Sequence, residues 1–394
     1  MTRDDLLLTH ATAYTPGERV EDAWVSARAG KIAALGQGVP PAAVAAGARV
    51  IDAHGKTLAP GFVDLHVHGG GGADFMDATP EALQTIARTH AAGGTTAWVG
   101  TTVTASLDIT RRAVAAAAPL VNRPLDGATL IGAHLEGPYL SLEQIGAHWP
   151  GYTLVPRPVD YEALFDQLPG IGRVTAAPEL SGALAMGEAM RRRGIHAAIG
   201  HSNAYLPVIR EAVAAGYSHV THLYCCTSGL RNQGGYKQLG INEASLLLDE
   251  LTVEIIGDGY HVPGDLIQLV LKVKGVERVC LVTDAMRAAG LGPGNYLLGD
   301  LEVVVEDGVA KLPDRSKFAG SVCTMAQAVR TAMGAGIPLE HALAMAGETP
   351  ATLIGLADRK GRLCPGYDAD LVLLDAGLHV TTTIVGGRVV YGTA

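Results

Sequence analysis

The 394-residue chain is short of several things, and each shortage removes a class of function. It has five cysteines, Cys225, Cys226, Cys280, Cys323 and Cys364, an odd and scattered set. That is no disulfide framework for a chain of this size and points to a reducing cytoplasm. No apolar run reaches the roughly 20 residues that a bilayer span needs. The N-terminal stretch "MTRDDLLLTHATAYTP" has no long apolar centre and carries acids beside its Arg, so it is not expected to be a signal peptide. There is no basic run, and 30 Lys and Arg against 39 Asp and Glu give a net charge of -9. A nucleic-acid surface needs a positive patch and is excluded, as is a membrane partner; an anionic small molecule, which needs only a local donor cluster, is not. Neither internal repeats nor low-complexity tracts occur.

What the chain does have is glycine, 50 residues of it, and a hydrophobic fraction of 48%. Both suit tight turns between closely packed strands and helices. The first ~55 residues and the last ~35 read as short strands with turn signals. The middle alternates β-branched apolar runs with Ala-rich helical stretches. Eight such runs stand out, at 61–68, 95–102, 128–137, 173–179, 196–202, 218–224, 252–259 and 279–285. The expected fold is therefore α/β: a TIM-like (β/α)8 barrel over 56–355, with a small β-sandwich domain built from both termini, 1–55 and 356–394. A doubly wound open sheet is the alternative, but no Gly-rich phosphate fingerprint follows an early strand.

A barrel carries its active site where the strands end. Strand one ends in "VDLHVHGGGG", giving His66 and His68, which share a face because strand side chains alternate. Strand three ends in Glu136, strand five in His201, strand six in His222 and strand eight in Asp284. A lone His at a strand end is more often a hydrogen-bonded core residue, and a lone Asp an N-cap; His219 reads as structural. The conjunction on five strands is what points to a metal site. Imidazole nitrogens with a carboxylate suit Zn²⁺ or Fe²⁺, at one or two ions per chain, with Glu136 placed to bridge. The glycines after His68 would let the loop pass the site without blocking substrate. Such an ion brings the pKa of a water to roughly 7 and so serves hydrolysis, with Asp284 carrying the proton to a leaving amine.

These residues carry a resemblance. "LAPGFVDLHVHGGGGADFMD", "HLEGPYLSLEQIGAH", "TAAPEL", "GHSNA", "THLY", "IIGDGYHVP", "LVTDAM", "AGSVCTM" and "GYDADLVLLD" resemble, over essentially the whole chain, the amidohydrolase superfamily and within it the N-acetylglucosamine-6-phosphate deacetylase family. The resemblance implies a metal at Glu136, His201 and His222, a second at His66 and His68, and Asp284 as proton donor and acceptor. It implies that His148, with Ala147 beside it, holds the acetyl carbonyl, and that His261, Phe318, Ala319 and Gly320 surround the sugar and phosphate. It also implies a homodimer, in which an Arg of the neighbouring subunit often completes the phosphate pocket.

One stretch departs from the family. After "THLY" the usual Asn-Ala-Met and a later Arg-Glu-Pro-Gly are replaced by "CCTSGLRNQGGY". Cys225 and Cys226 stand where Asn-Ala would line the phosphate end, and a thiol is a poor donor. The two could be apolar lining, a soft ligand beside the metal or a vicinal disulfide. Arg231 or Lys237 would have to replace the Arg. The expected activity is hydrolysis of the acetamide of an N-acetyl amino sugar phosphate, with an unphosphorylated N-acyl sugar, an N-acyl amino acid or a cyclic amide as alternatives. A non-catalytic binding barrel would have lost Asp284 or a metal-type residue, and none is missing.

Overall fold

The computed structural model describes residues 5–15, 17–167 and 170–392. Eight parallel strands form the barrel: β1 (Phe62–Val67), β2 (Thr95–Thr102), β3 (Thr129–Glu136), β4 (Ile171–Ala176), β5 (His196–Ile199), β6 (Tyr217–Val220), β7 (Thr252–Ile256) and β8 (Val279–Val282). They neighbour one another in chain order. The ring closes between β1 and β8, where the Asp284 N–H donates to the His66 carbonyl at 3.0 Å and Val67 pairs in parallel with Ala285. Each of the eight expected runs overlaps one of these strands; six contain theirs whole, while β4 and β6 begin two residues and one residue before the runs at 173–179 and 218–224. They were legible because parallel strands are covered on both faces and read as nearly continuous apolar runs; all of β1, β2 and β8 is buried.

Helices return the chain between strands, with local signals that start them. Thr79 caps Pro80–Ala92, its side chain accepting from the Ala82 N–H, with Pro at the first position. Ser106 caps Leu107–Ala117 and Thr324 caps Met325–Gly334 in the same way. One large apolar core lies between strands and helices, including Phe75, Trp98, Leu135, Met186, Ile255 and Val329.

The two ends of the chain share one eight-stranded sheet. Its order is Arg388–Gly392, Val380–Val385, Leu371–Leu374, Thr57–Pro60, Leu6–Thr15, Glu18–Arg28, Lys31–Gln37, with Arg49–Asp52 also on Leu6–Thr15. Leu6–Thr15 is bulged between Leu8 and Ala11 and again before Ala13, which bends the sheet around a core of Leu6, Leu8, Val25, Ile32, Leu58, Leu371 and Ile384.

Two excursions beyond the regular alternation matter for the site. Between β6 and β7 a hairpin, Arg231–Gln233 with Tyr236–Gln238, precedes the helix Ile241–Leu247. After β8 an antiparallel sheet of Gly294–Leu298, Leu301–Glu306 and Val309–Lys311 is inserted before the next helix. Sequence periodicity did not single it out. It returns the segment Lys317–Gly320 to the barrel mouth: Ala319 donates to Ala310 at 3.0 Å and Ser321 to the Asp284 carbonyl at 2.7 Å.

Candidate metal centre

The strand ends bring five donor side chains to one point. Glu136, the last residue of β3, is buried and divides its two oxygens. Oε1 lies 2.8 Å from His222 Nε2 and 3.1 Å from His201 Nε2. Oε2 lies 3.2 Å from His68 Nε2, 3.4 Å from His66 Nε2 and 3.5 Å from His148 Nε2. Asp284 Oδ1 faces the first pair, 3.2 Å from His68 Nε2 and 3.5 Å from His66 Nε2. His201, His222 and Asp284 each sit two residues beyond the end of their strand. Each has a positive φ, 47°, 31° and 49°, in the left-handed region that non-glycine residues rarely occupy. Strain of this kind persists only where surrounding bonds enforce it.

The other ring nitrogens decide what the site can hold. His66 Nδ1 faces Glu254 Oε2 at 3.4 Å, His68 Nδ1 the Thr101 carbonyl at 3.3 Å, His201 Nδ1 the Gln144 carbonyl at 2.9 Å, and His222 Nδ1 the Cys225 carbonyl at 3.1 Å. All four partners are acceptors, so each Nδ1 carries the proton and each Nε2 aims a lone pair inward. Four such lone pairs, each 2.8 to 3.4 Å from a Glu136 oxygen, repel the carboxylates unless a cation lies between them. His66 Nε2 and His68 Nε2 are only 3.3 Å apart. Asp284 Oδ1, buried, has only the Nε2 atoms of His68 and His66 set against it, so with both rings neutral it has no donor there. The donor set therefore fits one or two divalent ions of the zinc or iron type.

His148 is wired the other way. Its Nδ1 accepts the Thr104 backbone N–H at 3.2 Å, so in the neutral ring Nε2 carries the hydrogen. Burial, helped by His201 beside it, pushes its pKa down to about 3 and keeps the ring neutral. It thus offers a donor to the site rather than a lone pair, although it stands close enough to Glu136 and His201 to be grouped with them.

In the metal-free chain, protons take the cation's place. Burial works against charging His68, but hydrogen bonds with Asp284 and Glu136 outweigh it and raise its pKa to about 9; His66 is raised in the same direction. A raised pKa stabilises the metal-free fold fully below about 6.5, and that contribution is lost as pH rises through about 9. Metal must displace the same proton, so its affinity rises with pH over that window, by about tenfold per unit for each proton released. The thermal shift on adding saturating zinc should accordingly widen from pH 6.5 to pH 9. Melting curves with and without zinc across that range check it, and a shift that stays flat would place the proton elsewhere.

Around the centre lies a cavity of about 290 Å³. Of the residues expected to surround substrate, Ala147, His148, Cys225, Cys226, His261, Phe318 and Gly320 line it. Gly320 has φ 61°, and a side chain there would press on the Asp284 carbonyl. Ala319 does not line it: its methyl is buried under the inserted sheet beside Val303 and Ala310. Arg231 does not either. It stands on the exposed hairpin with its guanidinium 3.3 Å from the centre of the Tyr205 ring and Nε on Gln238 Oε1 at 3.0 Å. Lys237, on the same hairpin, is likewise outside. Cys225 packs against the core beneath the site, and Cys226 lies against Gly146 and His201; both thiols are free.

The glycines after His68 serve a different purpose from the one expected. None of Gly69–Gly72 lines the cavity. Gly69 and Gly70 turn back on Ala73 and Asp74, and a Cβ on Gly69 would collide with the Ala73 carbonyl and the backbone of Arg287. Sequence reasoning missed Lys317 and Tyr224 in the cavity wall and two buried carboxylates below it. Glu254 is the one behind His66. Asp64 is the other. It accepts the Thr283 hydroxyl at 2.6 Å and its N–H at 3.2 Å, joining β1 to the residue before Asp284, and burial raises its pKa to about 7.

Comparison with known proteins bears on the family. Residues 57–390 match the amidohydrolase family. An N-acetylglucosamine-6-phosphate deacetylase of Lysinibacillus sphaericus is 34% identical over 389 residues, covering 98% of this chain and 97% of that one. An N-acetylgalactosamine-6-phosphate deacetylase of Escherichia coli O157:H7 is 34% identical over 345 residues, 86% of this chain and 89% of the other. The solved structure of a mutant N-acetyl-D-glucosamine-6-phosphate deacetylase from Mycobacterium smegmatis, in complex with N-acetyl-D-glucosamine-6-phosphate, superposes with a TM-score of 0.91 at 35% identity, covering 99% of this chain and all of that one. With its strand-end donors arranged as they are, this chain belongs to the amidohydrolase family and, within it, to the N-acetylglucosamine-6-phosphate deacetylases.

Proposed function

We propose that the chain hydrolyses the acetamide of N-acetylglucosamine 6-phosphate, releasing acetate and the free amino sugar phosphate. One observation carries the reading: Glu136 faces imidazoles from three other strands with its two oxygens, beside Asp284, whose Oδ1 faces His68 and His66, and His148, which lines the cavity with its Nδ1 accepting the Thr104 N–H. His66, His68, Glu136, His201 and His222 would hold the metal, zinc before iron. When bound, the ion supplies Lewis acidity and an activated water. Asp284 accepts the water proton as the C–O bond forms and returns it to the nitrogen as the C–N bond breaks, since an amine anion is a very poor leaving group. His148 Nε2–H donates to the acetyl oxygen where negative charge develops.

The anionic end of the substrate is held in an unusual way. Lys317 is the only Lys or Arg lining the cavity among the described residues, and it would meet the phosphate as a point charge. Arg231 would reach a phosphate only across a homodimer, which the half-exposed Leu230 and largely exposed Tyr236 on its hairpin support. Lys317→Ala should raise KM for N-acetylglucosamine 6-phosphate about tenfold, the low end for a charge-assisted hydrogen bond, with kcat held and the unphosphorylated sugar unaffected. Arg231→Ala should do the same only if the protein sediments as a dimer. The panel should include N-acetylgalactosamine 6-phosphate and unphosphorylated N-acetylglucosamine. Equal kcat/KM for phosphorylated and unphosphorylated sugar would promote the second reading, an unphosphorylated N-acyl substrate, which Cys225, Cys226 and the outlying Arg231 favour. The five free cysteines support a cytoplasmic location, and no described helix is long and apolar enough to cross a membrane.

A further inference from the structure

Glu254 occupies the third position of β7, wholly buried, in a strand otherwise made of Thr, Val and Ile. A carboxylate at such a place is strongly disfavoured unless charge and hydrogen bonds compensate it. Arg173 of β4, also buried, supplies the charge: its guanidinium pairs with Oε1 and also donates to the Thr221 hydroxyl at 2.9 Å. Neutralising Arg173 needs only that one oxygen. The other oxygen, Oε2, makes two contacts of a different kind. It accepts the backbone N–H of His222 at 3.2 Å and faces His66 Nδ1 at 3.4 Å.

We infer that Glu254 is the positioning residue that joins the two halves of the metal centre. This rests on the metal-dependent reading of the site. His66 belongs to the half that faces Glu136 Oε2, and His222 to the half that faces Oε1. Accepting the Nδ1–H fixes the His66 tautomer and aims its Nε2 into the site, as carboxylates behind metal-binding histidines do. The bond to the His222 N–H holds a residue whose φ of 31° is unfavourable for any side chain. One oxygen thus sets the ring orientation on β1 and the backbone orientation after β6. His219 also approaches this carboxylate, Nε2 to Oε1 at 3.5 Å, but its ring points away from the donor cluster to Thr252 and lies on the Arg173 side of Glu254.

The competing role, mere neutralisation of Arg173, predicts different behaviour in three variants of the full chain. Glu254→Asp keeps the charge for Arg173 but withdraws the oxygen from His66 and His222. Glu254→Gln keeps the shape without the charge. The double variant Arg173→Leu with Glu254→Leu removes the buried ion pair altogether, a replacement that proteins often tolerate without loss of stability. Zinc bound per chain is read by equilibrium dialysis against buffered free zinc, and Tm of the zinc-free protein is read separately. All three variants should bind zinc about 10- to 100-fold more weakly, at both steps where two ions bind. Glu254→Asp and the double variant should melt, zinc-free, near the wild type. Wild-type zinc affinity in Glu254→Asp or in the double variant would overturn the assignment and leave Glu254 as a counter-charge. If the double variant does not fold, Glu254→Asp alone decides between the two. A wild-type chain that binds no zinc in the same dialysis would overturn the metal reading itself, and is distinguishable because it needs no variant.

Discussion

Asp284→Asn should lower kcat by at least ~10²-fold while leaving KM and metal content near those of the wild type. The geometry makes the substitution unusually clean. The Asp284 backbone is clamped on both sides, its N–H on the His66 carbonyl at 3.0 Å and its carbonyl under the Ser321 N–H at 2.7 Å, so the side chain can be replaced without moving the strand end. The carboxamide has nearly the same shape, and five other donors remain for the ion. What is lost is the proton. Burial alone would raise the Asp284 pKa, but the His66 charge and the hydrogen bond and charge of His68 outweigh it and hold the pKa below the usual carboxylate value. The group is therefore ionised at neutral pH and ready to accept. An amide cannot cycle between the two states, so both the attack of water and the departure of the amine lose their proton carrier. Steady-state kinetics beside elemental analysis check the prediction. Turnover within a few-fold of wild type, in protein of full metal content, would assign the base to another group.

Why some of this was legible in the sequence and some was not has physical reasons. The eight barrel strands announce themselves because both faces of a parallel sheet are covered, and because the reactive side chains cluster where those strands stop. His66, His68, Glu136, His201, His222 and Asp284 could be read by position alone, as polar residues just where apolar runs end. The inserted sheet after β8 was missed because it has the ordinary alternation of a surface hairpin, although the Asp307-Gly308 turn with φ of 54° and 76° was a readable signal. Lys317 was missed with it, since only that fold-back brings Lys317 over the barrel mouth. Glu254 and Arg173 carry a signal in the sequence itself: each is a charge inside an apolar strand, and a buried charge needs a partner. No sequence rule pairs β4 with β7 across a barrel, so the pairing itself needed coordinates. Arg231 shows the reverse error. Its charge and its closeness to Cys226 in sequence point to a phosphate contact, yet the hairpin carries it outward onto Tyr205.

His222→Ala and His66→Ala separate the two halves of the centre, and the first should be far more damaging. Glu136 Oε1 has the shorter contacts, 2.8 Å to His222 and 3.1 Å to His201, whereas Oε2 is spread over His66, His68 and His148 at 3.2 to 3.5 Å. An ion on the Oε1 side has two imidazoles and a carboxylate, the minimum of a catalytic site that keeps a position open. Removing His222 leaves that side with two donors. Removing His66 leaves it untouched and weakens only the other side, where His68 and Asp284 still face the gap. His222→Ala is accordingly expected to cost on the order of 10³-fold in kcat/KM, at the upper end of what losing one stabilising donor to the developing charge costs. His66→Ala should cost about tenfold and remove at most one ion. Backbone strain complicates the first variant, because alanine at φ 31° is itself unfavourable. His222→Gly removes that strain and the ring together. Equal losses in His222→Ala and His222→Gly would locate the effect in the imidazole, and recovery in His222→Gly would locate it in the backbone. Larger damage from His66→Ala than from either would place the essential ion on the Oε2 side, against the shorter distances seen at Oε1.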